Sequence, residues 1–206
     1  MNRFRHLIAA IVAASLAACG TVMPAEQSGF LSDYTALAGA PDAAAASRVS
    51  ADVIDPARVS VDAVAWRVTN SVDISSDERE ALLARLRTEL QQRVQALPAQ
   101  PQGRPAVLRA AITRVETVSP ALNALSSLLL TVPLDRGGAA VEIEAVDPQT
   151  GRQLAALTQG YFAPMSELKA RFRKLASAEI AVHKAAADFV QLLQPAPDAG
   201  KKTALR

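Results

Sequence analysis

One cysteine, two histidines and one tryptophan are all that 206 residues provide of those types. A single thiol, Cys19, excludes an intrachain disulfide and a thiolate metal site. His6 lies in the N-terminal leader, which leaves His183. A zinc site built from several His or Cys ligands is excluded, and so are Ser-His-Asp and Cys-His arrangements unless His183 serves. No Gly-rich phosphate loop is present, because Gly137 and Gly138 read as a turn with no helix start behind them. Aromatic residues make up 4% of the chain, so the core has to be built from Ala, Val and Leu. These absences leave no catalytic residue, no metal and no cofactor to name, and the chain is expected not to be an enzyme. Charge of one sign is also missing. Removing Arg3 and Arg5 with the leader leaves 20 basic against 20 acidic residues. Three of those cations, Lys201, Lys202 and Arg206, sit in the tail. A nucleic-acid partner needs a concentrated basic face, and none is expected here.

What is present begins with an address. Residues 1–18 have the three parts of a secretory signal: Arg3, Arg5 and His6, then an apolar run from Leu7 to Leu16, then small residues. The run is too short for a spanning helix, which needs about 20 apolar residues. Leu16-Ala17-Ala18-Cys19 resembles the bacterial lipobox. That resemblance implies cleavage between Ala18 and Cys19 and acylation of Cys19, palmitate included. One acyl chain binds a membrane weakly, whereas several on one residue anchor it stably. Gly20 follows the cysteine, where retention in the inner membrane would favour Asp. The expected location is the outer membrane, facing the periplasm, with the membrane as partner through the lipid on Cys19.

Residues 19–51 read as lipidated Cys and tether, 52–195 as one globular domain and 196–206 as a disordered tail. One island interrupts the tether. Phe30, Leu31 and Tyr34 are large side chains among small ones, and they are expected to dock on the body. Residues 57–69 alternate as a strand that changes phase midway, which predicts a bulge. Ser75 and Glu78 have capping-box spacing, and Leu83, Leu86, Leu90, Val94 and Leu97 then form one helical stripe that stops before Pro98 and Pro101. Residues 106–118 form the second strand. Residues 138–146 form the third, with Val141, Ile143 and Ala145 facing inward and Glu142 and Glu144 on an expected wet face. Residues 147–151 (DPQTG) turn into a fourth strand over 152–162. Residues 166–193 read as one long helix, buried through Leu168, Phe172, Leu175, Val182, Ala186, Phe189 and Leu193. Its first turns carry Arg171, Arg173 and Lys174, where the helix dipole disfavours cations. His183 is expected partly buried beside the stripe, with one hydrogen bond. The order β-α-β-β-β-α predicts an α+β two-layer domain, with a mostly antiparallel sheet of about four strands and two helices on one face.

Three stretches, residues 28–37 (SGFLSDYTAL), 110–123 (AAITRVETVSPALN) and 145–156 (AVDPQTGRQLAA), occur in this order behind the lipobox. Together they resemble the bacterial lipoprotein family of domain of unknown function 3313. The resemblance implies an envelope lipoprotein and implies no reaction.

Residues 120–138 join strands two and three and are too long and too apolar for a hairpin loop. Leu122, Leu125, Leu128, Leu129, Leu130, Val132 and Leu134 either continue strand two or form a short helix covering the sheet, or they make an apolar flap that contacts lipid, a hydrophobic ligand or a partner protein. The leucines from 122 to 130 are the candidate contact residues. The expected function is a non-enzymatic interaction or assembly module of the envelope, bound to an envelope protein. The alternative is a carrier that shelters a lipid or other apolar ligand under this segment.

Overall fold

The structure is a computed structural model and describes residues 22–25, 27–37, 45–70, 72–130, 136–164 and 166–194. Ala18 and Cys19 lie outside these residues, as do the leader and the tail. The strands are β1 (Ala45–Arg48), β2 (Ile54–Val61), β3 (Ala65–Trp66), β4 (Arg104–Glu116), β5 (Gly138–Val146) and β6 (Gln153–Phe162). The helices are α1 (Ser76–Gln95), α2 (Pro120–Leu130) and α3 (Ala176–Leu193), with 3-10 turns at Thr35–Leu37 and Leu168–Phe172. The sheet runs β1-β6-β5-β4-β2, and β3 pairs with β4 further along. The fold is α+β, as expected, with α1 and α3 packed together on one face.

Local chemistry accounts for most of these elements. The Ser75 hydroxyl accepts from the Glu78 amide at 3.2 Å while the Glu78 carboxylate accepts from the Ser75 amide at 2.9 Å, so the capping box closes. The buried stripe of α1 is Leu82, Leu86, Leu90 and Val94, with Leu83 only partly covered. The β5–β6 hairpin turns at Asp147, whose Oδ1 accepts from the amides of Gln149 and Thr150 at 2.8 and 3.2 Å. Gly151 follows at φ 69°, a backbone state that other residues adopt only with strain. The predicted phase change in the first strand is present. Val61 faces Leu108 and Ala65 faces Ala111, so one extra residue separates β2 from β3. Both pair parallel to β4, the α1 crossover having returned the chain in the same direction.

Four expectations are corrected. Residues 22–25, 27–37 and 45–48 fall inside the span read as a tether, yet they lie on the body. Val22 bridges to Tyr161, Met23 is fully buried and β1 pairs with β6. The body therefore begins well before residue 52, because a short segment can pair with an open sheet edge without an apolar period of its own. Glu142 and Glu144 are not on a wet face, and neither has any exposure. The long C-terminal helix is broken. Arg173 is extended at φ −128°, and the Lys174 carbonyl accepts from the Val118 amide at 3.2 Å, outside the helix. The cations thus precede α3, where Lys174 pairs with Glu78 at 2.9 Å and Arg173 stands 3.6 Å from Glu179, and Phe172 is 44% exposed. Finally, the His183 side chain is half exposed. Its Nδ1 lies 3.0 Å from a Glu89 oxygen and its Nε2 2.9 Å from an Arg93 nitrogen.

Candidate contact surface

Pro120 suits the first helical position, where its missing N–H and fixed φ carry no penalty. Ser119 precedes it, and its hydroxyl accepts from the Leu122 amide at 3.3 Å as an N-cap. The Asn123 amide then donates to the Ser119 carbonyl at 3.0 Å, and α2 is under way. The helix packs against the 3-10 turn Leu168–Phe172. Its buried side is its polar stripe. Asn123 is fully buried, and Ser127, one turn on, has a buried hydroxyl. The leucines face the other way: Leu122, Leu125, Leu128 and Leu129 are 49, 54, 80 and 70% exposed. Burying a leucine contributes roughly 1.5–3 kcal/mol, and four adjacent leucines forgo most of it. Scattered exposed apolar residues are ordinary, whereas a contiguous set on one helix marks a contact site. Four of the five predicted contact residues are thus brought together on one surface. Leu130 closes α2, and its side chain lies outside the described residues, as do Val132 and Leu134.

Sequence reasoning missed a second arrangement, on the sheet face away from α1 and α3. Residues 28–34 cross this face as a strap. The Ser28 amide and hydroxyl donate to Glu142 at 2.9 and 2.5 Å, and the Tyr34 hydroxyl donates to it at 2.9 Å. The Ser32 amide and hydroxyl donate to Glu144 at 2.9 and 2.7 Å. Gln153 Nε2 donates to Glu144 at 2.8 Å, and the Arg109 guanidinium lies 2.9 Å from its other oxygen. Arg109 also stands 5.5 Å from the centre of the Phe30 ring. Buried charge is costly unless paired and hydrogen-bonded, and here the strap supplies most of the donors. Burial pushes the Tyr34 phenol above its usual range, with the Glu142 charge acting in the same direction against the Leu31 amide. Leu31 and Leu37 pack on Ala156, so Phe30, Leu31 and Tyr34 dock on the body. A signal was available, in hydroxyl donors in the strap and two carboxylates one strand pleat apart.

Other groups serve structure. Arg104 bridges Asp147 at 2.8 Å and Asp52 at 3.3 Å, and Arg152 also pairs with Asp52. Glu89 is mostly buried. Burial alone would raise its carboxyl, but the hydrogen bond from His183 and the charges of His183, Arg85 and Arg93 hold it below the usual range. A polar cleft of about 590 Å³ lies between the strap and β4, lined by Ser28, Arg67, Asn70 and Arg114 among others. Among the described residues no group of three His, Cys, Asp or Glu could hold a metal ion. No helix among them is long and apolar enough to cross a membrane.

Fold and surface together define a two-layer α+β domain that carries an outward-facing leucine helix. The chain belongs to the family described as protein of unknown function DUF3313, whose model matches residues 26–189. The strap, α2 and the β5–β6 turn all lie within that match. No curated protein matches the chain. Among solved structures it is distantly similar to the PelC dodecamer of Paraburkholderia phytofirmans. One crystal form gives 12% identity and a TM-score of 0.43 over 73% of this chain and 98% of PelC. A point variant gives 14% and 0.42 over 73% and 99%.

Proposed function

We propose that this protein is an outer-membrane lipoprotein facing the periplasm, anchored through acyl chains on Cys19. It acts as a non-enzymatic interaction module of the cell envelope, with α2 as its contact surface. The observation that carries this reading is the inverted helix, with Asn123 and Ser127 turned inward and four leucines turned outward. The lone cysteine behind Leu16-Ala17-Ala18 supports the anchor. The outward leucines argue against an apolar ligand sheltered beneath them.

Two measurements test the proposal. Labelled palmitate should enter the wild-type protein and not Cys19→Ala, and label in the variant would refute the anchor. A photo-cross-linking residue at Leu125 should trap an envelope component in living cells, while one at Gln149 in the β5–β6 turn should not. Equal yields at both positions would remove α2 as the contact surface.

A further inference from the structure

The leucines of α2 do not stand alone at their end of the sheet. Register places Glu116 opposite Gly138, and Gly138 opposite Phe162. Val22 bridges Tyr161 at the same end, and the Met23 amide donates to the Gly160 carbonyl at 3.1 Å. A Cβ on Gly160 would stand 2.2 Å from the Met23 carbonyl oxygen, so residues 22–25 are seated closely there. From this end α2 leaves β4 and the 3-10 turn Leu168–Phe172 follows β6.

Cys19 is three residues before Val22. A fully extended chain covers at most about 3.3–3.6 Å per residue, so the lipid-bearing residue lies within roughly 11 Å of Val22. The end of the sheet that carries the leucines is therefore also the end nearest the acyl chains.

Charge agrees. The eleven residues of α2 include no ionisable group. The adjoining stretch, residues 166–174, has four basic residues and one acidic residue. Lys169 and Arg173 are exposed there beside Phe172; Arg173 reaches Glu179 only at 3.6 Å, while Lys174 is held by Glu78 at 2.9 Å. An apolar helix, packed against a short turn that carries exposed cations and an exposed aromatic ring, suits the headgroup–acyl boundary of a bilayer. Each cation near an anionic surface adds about a fivefold gain in partitioning.

We infer that α2 and the neighbouring 3-10 turn rest on the bilayer itself. Leu122, Leu125, Leu128, Leu129 and Phe172 enter the headgroup–acyl boundary, and Lys169 and Arg173 meet anionic headgroups. This rests on the reading of Cys19 as the anchor and names the lipid surface as what α2 contacts.

The test uses the acylated protein, purified from membranes and reconstituted into vesicles of phosphatidylcholine with or without phosphatidylglycerol. Cys19 is the only cysteine and is consumed by lipid, so Leu128→Cys and Gln149→Cys each offer one thiol for an environment-sensitive fluorophore. Leu128 is 80% exposed, so its replacement leaves the fold intact, which circular dichroism checks. The expected result is a blue-shifted Leu128 probe that lipid brominated near the headgroup quenches, beside an unshifted and unquenched Gln149 probe. Lys169→Glu with Arg173→Glu should remove the extra quenching that phosphatidylglycerol brings. Equal, water-like emission at both positions would overturn the inference. If the Leu125 cross-link to an envelope protein nevertheless persists in cells, the contact-surface reading survives that failure. A blue-shifted probe that brominated lipid does not quench, together with cross-linked dimers, would assign the leucines to a second copy and overturn the inference. Quenching unchanged by the charge reversal would overturn the part given to the cations. Absence of acyl mass on Cys19 would overturn both the inference and the anchor beneath it.

Discussion

The strap over residues 28–34 and helix α2 meet the body in opposite ways. The strap docks through Phe30, Leu31 and Tyr34, as their size predicts, and its two serines also cover two carboxylates. Helix α2 has five leucines in eleven residues, yet it turns its Asn and Ser inward and leaves leucines in solvent. Apolar content alone does not decide which segment docks; the partners available to it also count. Two buried glutamates have to be satisfied, and each strap hydroxyl or amide given to them replaces a lost water. The leucines of α2 have no vacant apolar surface to meet, because α1 and α3 already cover the helix-facing side of the sheet.

Arg109→Ala would strike the strap side of this comparison hardest. It leaves Glu144 buried with only neutral donors and removes the ring contact with Phe30. Breaking a buried pair by deleting one partner costs about 3 kcal/mol, and urea denaturation should show that loss. Arg109→Lys should restore part of it. A variant as stable as wild type would mean that the strap alone satisfies Glu144.

Tyr34→Phe is a finer probe, because it removes one hydroxyl from Glu142 and keeps the ring. A hydrogen bond to a charged group contributes roughly 1.5–3 kcal/mol, so a loss of about 2 kcal/mol is expected in the same measurement. A neutral result would show that Ser28 suffices for Glu142.

Acid should separate the two segments. The Asp33 carboxylate accepts from the Thr35 amide and hydroxyl, and these bonds hold its pKa below the usual carboxylate value of 3.8. A depressed pKa contributes stability that is complete above the unfolded value and is lost as pH falls through the folded one. The strap's 3-10 turn should therefore loosen below about pH 4. Hydrogen exchange at the Thr35 and Leu37 amides reads this directly. Helix α2 has no titratable group, so its exchange should not follow the same midpoint. A shared midpoint would mean that the two segments open together.

The smallest effect is expected at Leu129→Asp. A charge at a buried leucine would cost several kcal/mol, but at 70% exposure the change in stability should stay within about 0.5 kcal/mol. Thermal melts check it. Unfolding of this variant would show that the leucines are covered, and the contrast with the strap would disappear.

The parts of the fold that were legible in the sequence are those set by neighbours along the chain. The capping box of α1, the DPQTG turn and the phase change between β2 and β3 all act over a few residues. The break before α3 was not legible, because it depends on a bond from Val118 to the Lys174 carbonyl. Alternation in β5 showed that its two faces differ, and it could not show that the polar face is covered from over a hundred residues away. In α2 the leucines were plain as a set. Their direction was not, because which face of the helix turns inward is set by what it packs against, and the buried pair is Asn123 and Ser127, one turn apart. The candidate site was therefore found by composition and oriented only by structure.

The strap also imposes an order in time. Ser28 and Glu142 are 114 residues apart in the chain, and Ser32 and Glu144 are 112 apart. The β5–β6 hairpin, by contrast, pairs residues such as Glu144 and Ala156 across one turn. Chains grow at about 5–20 residues per second, so the strap is finished on the order of ten seconds before its carboxylates exist. The first part of the body to be made is among the last that can be placed. Until then its serines remain hydrated, and the hairpin, once formed, has to hold two charges without their cover. A pulse-labelled chain would reveal this interval as late protection of the residue 28–37 amides, after those of β5 and β6 are already slow to exchange.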